Sequence, residues 1–207
     1  SDIKNKKIIF FPLHLEPEVS LLNVSPEFSN SLEVISLIAK NLPFDTVLIL
    51  KEQIFSFPVR SINFYKQLKK IYNVEFADPE IHSWEWIKDS KIIVSITGTV
   101  GIEAIMMKKK VISFGAHQAI NLLPSVKYVS NFEEVKKAME ELIETDYKDD
   151  ELDHFKNSYL LSQKNNSFEL KNLKSSDFGD FDISMVDLSI KKLVETYPEI
   201  FDNLKYE

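Results

Sequence analysis

Residues 91–107 read Lys-Ile-Ile-Val-Ser-Ile-Thr-Gly-Thr-Val-Gly-Ile-Glu-Ala-Ile-Met-Met. The first six form a short run rich in branched apolar side chains, the composition of a strand buried on both faces. Thr97, Gly98, Thr99 and Gly101 follow at once, and Val100 to Met107 reads as a helix. A buried strand that passes through a glycine turn straight into a helix is the unit of a doubly wound parallel sheet. In such a turn the glycines let the backbone approach an anion, and the threonine hydroxyls and first helical amides face it. Glu103, in the first helical turn, suits the helix dipole and can accept hydrogen bonds from ribose hydroxyls. The same residues also read as a tight turn with hydroxyl caps, since they match neither a Walker loop nor GxGxxG.

The alternation extends to both sides. Strands are predicted at 7–13 (KIIFFPL), 46–51 (TVLILK), 74–76, 91–96 and 111–114. Helices are predicted at 30–41, capped by Asn30 with Glu33, then at 63–71, 83–88 and 100–107. Ser130 with Glu133 is read as the start of a further helix over 132–144. Short connections between strands and helices imply parallel pairing with right-handed crossovers. The predicted class is α/β, a Rossmann-like doubly wound parallel sheet, whose ligands bind beyond the carboxyl ends of the strands. Residues 1–163 are assigned to this domain, 164–183 to a polar loop or linker, and 184–207 to a terminal helix docked on the domain.

Three more segments fall at that edge. The loop Phe11-Pro-Leu-His-Leu-Glu-Pro-Glu18 carries His14 and Glu18, the candidate catalytic groups, because rigid loops at strand ends hold such residues. Its other reading is a solvated acidic loop. Lys51, Glu52 and Gln53 follow the second strand, where Lys51 is placed to offset phosphate charge or to pair with Glu52. Gly115 and His117 leave the strand at 111–114, and a lone histidine there is equally a hydrogen-bonded loop residue. With Thr97, Gly98, Thr99, Gly101 and Glu103, these residues make up the candidate ligand-binding set. A carboxylate introduced at Gly101 is expected to repel an anion without unfolding the domain.

Composition removes several alternatives. The 25 basic and 32 acidic side chains leave a formal charge of −7, which argues against a nucleic-acid binder. The chain has no cysteine, so disulfide frameworks and thiolate metal sites are excluded. The uncharged stretch from Val111 to Val126 is too short and polar to span a bilayer. No secretory apolar segment opens the chain, so a cytoplasmic protein is expected.

Together these segments resemble the capsule polysaccharide biosynthesis family, bacterial sugar transferases of the GT-B type. The resemblance runs through Phe11–Glu18, Val47–Glu52, Arg60–Tyr65, Asn73–Val74, Ser95–Ala104 and Val111–Gly115, in the family's order. It implies two facing Rossmann-like domains, with the nucleotide-sugar donor held mainly by the C-terminal one. This chain resembles that donor domain and is too short for both, so the acceptor, a glycan or lipid-linked sugar, is expected to reach it through an N-terminal domain. Peripheral association with a membrane assembly fits that role. The resemblance further implies a CMP- or UDP-linked donor as substrate, no separate cofactor and no nucleotide-binding metal.

There is one departure. The family shows Lys-Glu-His-Pro after the second strand, whereas this chain has Lys51-Glu52-Gln53-Ile54. Glutamine donates a hydrogen bond but neither carries charge nor shuttles a proton at neutral pH. A noncatalytic interaction module on the same fold, and a sugar-nucleotide epimerase-like enzyme, are the competing readings.

Overall fold

In the computed structural model, residues 6–16, 19–53 and 60–165 are described. The chain divides into two compact units, residues 1–159 and 160–207. Only residues 160–165 of the second are among those described, so the helix read at 184–207 lies outside them, as does Glu18.

The described residues of the first unit form six strands: β1 (Lys7–Pro12), β2 (Thr46–Lys51), β3 (Val74–Phe76), β4 (Ile92–Ser95), β5 (Lys110–Ser113) and β6 (Val126–Tyr128). They form one sheet in the order β3-β2-β1-β4-β5-β6, and every neighbouring pair is parallel. The five strands expected from sequence occur within a residue at each end. The sixth, β6, was not legible. Among the described residues seven α-helices accompany them: α1 (Val19–Val24), α2 (Ser31–Lys40), α3 (Ile62–Leu68), α4 (Ser83–Asp89), α5 (Val100–Met106), α6 (Glu134–Glu144) and α7 (Asp149–Asn165). Helix α7 takes in Lys164 and Asn165, the first two residues of the stretch read as a loop.

The period-two alternation of each strand feeds two separate cores. Ile9 and Phe11 of β1, Leu13 just after it, Leu48 and Leu50 of β2, and Ile92 and Val94 of β4 bury against α2 and α6. Phe10, Val47, Ile49 and Ile93 face the other way, against α4 and α5. A sheet covered on both faces explains why these runs are continuously apolar.

Helix starts follow local chemistry. The Asn30 side chain accepts the Leu32 amide, as expected of an N-cap. Helix α6 starts at Glu134, two residues later than the sequence reading placed it, with Glu133 at the N-cap position and no side-chain cap there. Asn131 Oδ1 accepts the amides of Glu133 and Glu134, while Glu134, not Glu133, returns to the Ser130 amide at 2.8 Å.

The strand order places the topological switch between β1 and β4, where successive connections leave in opposite directions. Proline helps to open it. The amides of Lys7 and Leu13 bond toward the β2 side, to Asp45 and Lys51 carbonyls at 2.8 Å. By alternation the Pro12 nitrogen faces β4, and proline has no N–H to give. Pairing of β1 with β4 accordingly stops at Phe10↔Ile93, whereas pairing with β2 continues to Pro12↔Lys51.

Candidate functional site

Two segments meet at the mouth of this opening: the loop after β1 and the turn after β4. The buried His14 ring lies against Thr97, whose amide donates to Nε2 at 3.4 Å and whose hydroxyl stands 3.5 Å from Nδ1. Because an amide can only donate, Nε2 is the acceptor, and a neutral ring carries its proton on Nδ1. In this geometry His14 holds the turn after β4.

Gly98 follows with φ +85, a left-handed backbone that glycine adopts without a Cβ penalty. It is exposed, and a Cβ there would meet only the His14 ring, at 3.8 Å. Thr99 precedes α5, and its hydroxyl donates to Glu103 Oε1 at 2.8 Å. The other carboxylate oxygen of Glu103 accepts the Trp84 indole N–H at 3.1 Å. Trp84 is 57% exposed and stands at the start of α4, with the His82 ring edge-on to it at 5.2 Å. A carboxylate aimed by two donors, beside an exposed aromatic face and a glycine turn, can take a ribose, a base and a phosphate respectively.

Gly101 does not share that setting. It is buried in α5, where a Cβ would lie 2.5 Å from Ile120 Cδ1 and 3.5 Å from Ser95 Oγ. It is a close-packing glycine between helix and sheet, so an aspartate there is expected to strain the fold, contrary to the expectation from sequence. Gly115 is likewise buried, because a Cβ would come 2.2 Å from the Ile96 carbonyl oxygen. Its own carbonyl accepts Asn121 Nδ2 at 2.8 Å. His117 is exposed, with φ 59, on the loop that leaves β5.

The residues after β2 separate. Gln53 is exposed, whereas Lys51 and Glu52 are buried. Lys51 Nζ donates to the Pro79 carbonyl at 2.9 Å, which directs its ammonium toward the loop after β3. Glu52 pairs with Arg60, Nε to Oε1 2.8 Å, although the N–H is not aimed along that line. The Tyr65 hydroxyl also donates to Glu52 Oε1, at 3.0 Å. Arg60 reaches the His14 loop as well, donating to the His14 carbonyl and standing 3.3 Å from Glu16 Oε2. Glu16 in turn accepts the Ser31 amide at 3.1 Å and the Ser31 hydroxyl.

The sequence reading gave no role to Arg60, Tyr65 or Trp84. One signal for Arg60 was available: it is the only arginine among 25 basic residues. Among the described residues no group of three or more His, Asp or Glu side chains is placed to share a metal ion. No described helix is long and apolar enough to cross a membrane.

Comparison with known proteins supplies three findings. The sequence model described as capsule polysaccharide biosynthesis protein matches residues 2–149. A search of curated proteins by sequence finds no match. Among solved structures, UDP-GlcNAc 2-epimerase from Methanocaldococcus jannaschii superposes with TM-score 0.55 at 17% identity, covering 76% of this chain and 45% of that one. The Anabaena HepE protein, solved with UDP-glucose, gives TM-score 0.53 at 15% identity, over 78% and 45%. MnaA of S. aureus, solved with UDP, gives 0.50 at 18% identity, over 75% and 40%. These likenesses establish the Rossmann-like fold of the GT-B and epimerase proteins, and the chain spans less than half the length of each structure.

Proposed function

Because the chain belongs to the capsule polysaccharide biosynthesis family, we propose that it binds a nucleotide-sugar donor between the ends of β1 and β4, as the donor half of a glycosyltransferase for capsular or surface polysaccharide. The observation that carries this reading is the convergence at the switch point of the Gly98 turn, Glu103 and Trp84. The phosphate would lie over the Thr97–Thr99 turn, the ribose would hydrogen-bond to Glu103, and the base would stack on Trp84. The structures solved with UDP and UDP-glucose make uridine nucleotides natural ligands to test beside CMP.

Trp84 makes the test optical. UDP or CMP is expected to quench indole fluorescence saturably in the parent and not in Trp84→Phe, which keeps only Trp86. Glu103→Gln removes the charged acceptor and should weaken binding about tenfold, since a hydrogen bond to a charged group contributes about 1.5–3 kcal/mol. Equal affinity of parent and Glu103→Gln would remove the ribose from this carboxylate.

The noncatalytic reading also has an observation behind it. Lys51 and Arg60 are both engaged internally, and Gln53 stands where the family carries histidine. Gln53 is exposed, so an imidazole fits there without disturbing the core. Gln53→His is expected to raise nucleotide affinity more at pH 6 than at pH 8. The imidazolium present below about pH 6.5 forms the stronger, charge-assisted hydrogen bond to phosphate. The gain is therefore full at low pH and fades as the ring deprotonates. Affinities of parent and variant that coincide at both pH values would favour the noncatalytic module.

A further inference from the structure

We propose that Arg60 is the positioning residue of this site, its guanidinium fixing the loop after β1 so that His14 stays against Thr97 at the mouth of the opening. The importance of that placement for ligand binding rests on the donor-site reading above.

Among 25 basic residues Arg60 alone is arginine, so lysine serves wherever a cation suffices. Arginine differs in offering a planar fork of donors in fixed directions. Here one arm of the fork donates a hydrogen bond and the other two nitrogens stand in ion pairs. Nη2 donates to the His14 carbonyl, Nη1 lies 3.3 Å from Glu16 Oε2, and Nε lies 2.8 Å from Glu52 Oε1. The side chains of Arg60 and Glu52 are only 6% and 4% exposed, and the guanidinium carbon sits 4.7 Å from the Phe64 ring centroid.

The partners come from separate parts of the sheet edge. His14 and Glu16 belong to the loop after β1, and Glu52 directly follows β2. Glu16 continues the connection to Ser31, the first residue of α2. Tyr65 of α3 supports Glu52 from behind; burial and then the Glu52 charge push its phenol up to about 12, so it remains a donor at neutral pH. Charge compensation alone would need only the two carboxylates. The bond to the His14 carbonyl adds no charge balance and fixes direction instead. It acts on the residue whose ring holds the turn after β4. Arg60 therefore works through His14.

The test uses the 207-residue chain and Arg60→Lys, which keeps the charge and gives up the fork. The His14 ring nitrogens, identified by comparison with His14→Gln, are observed by long-range proton–nitrogen correlation. Calorimetry on CMP, UMP and UDP runs in parallel. Arg60→Lys is expected to keep a cooperative folding transition, to move the His14 ring signals, and to lower affinity for the bound nucleotide about tenfold. If the lysine variant does not fold, Arg60→Gln with Glu52→Gln removes both charges and is read in the same way. Ring signals that coincide with the parent's in a folded variant overturn the proposal. So does a shifted ring with unchanged nucleotide affinity. A parent that binds none of the three nucleotides refutes the donor-site reading, and the ring signals then decide by themselves whether Arg60 holds His14.

Discussion

Gly101→Asp is expected to yield little folded protein. The new Cβ would sit 2.5 Å from Ile120 Cδ1, and Ile120 is itself only 1% exposed, so the isoleucine has little room to withdraw. Overpacking of this kind costs about 1–3 kcal/mol. The carboxyl group then lies between α5 and β4, and a buried polar group without its hydrogen bonds costs about 1–3 kcal/mol more. A loss on the order of 4 kcal/mol is a large share of the roughly 5–15 kcal/mol that keeps a domain folded. Denaturant unfolding measures it directly, and a variant as stable as the parent would show that α5 can move off the sheet. The charge test belongs at Gly98, which is exposed and whose Cβ would make only an ordinary contact with the His14 ring, at 3.8 Å. Gly98→Asp adopts the left-handed backbone with strain of about 1–2 kcal/mol. Its carboxylate would repel a phosphate by roughly 4 kcal/mol at 4 Å and an effective dielectric near 20.

The second large effect is expected at the buried ion pair. Arg60→Met leaves Glu52 enclosed without its cation, and among the described residues Glu52 Oε2 already has no hydrogen-bond partner. Removing one member of such a pair typically costs about 3–5 kcal/mol, because the other charge stays buried. Replacing both members is far milder, so Arg60→Met with Glu52→Gln should recover most of the loss. The sum of the single effects would then exceed the double, a coupling that equilibrium unfolding of the three variants measures. Strict additivity would mean that the two side chains do not depend on each other.

The fold was legible because its signal is repeated. Runs such as Ile92–Ile93–Val94 and Val47–Leu48–Ile49–Leu50 are apolar on both faces, which a two-sided sheet requires. β6 escaped because of its three residues, Val126-Lys127-Tyr128, only Val126 is buried, which leaves no apolar run to read. α1 lay hidden behind Pro12 and Pro17, which read as loop markers, and α7 because it buries only Tyr159 among 17 mostly polar residues. At the site, sequence placed Thr97, Gly98, Thr99 and Glu103 on one turn after β4. It could not tell Gly98, which opens the turn, from Gly101, which packs the helix. That distinction depends on Ile120, distant in sequence. The reach of Lys51 to Pro79 and of Arg60 to His14 and Glu16 is equally nonlocal, and no periodicity records it.

The central claim is that a nucleotide binds where β1 and β4 part. Titrating CMP, UMP and UDP into the 207-residue chain in a calorimeter tests it most directly, with Glu103→Gln and Gly98→Asp as site controls. A saturable heat is predicted for at least one of the three, weakened in both variants while their folding transitions stay cooperative. No heat from any nucleotide, or a heat that both variants leave unchanged, would contradict it.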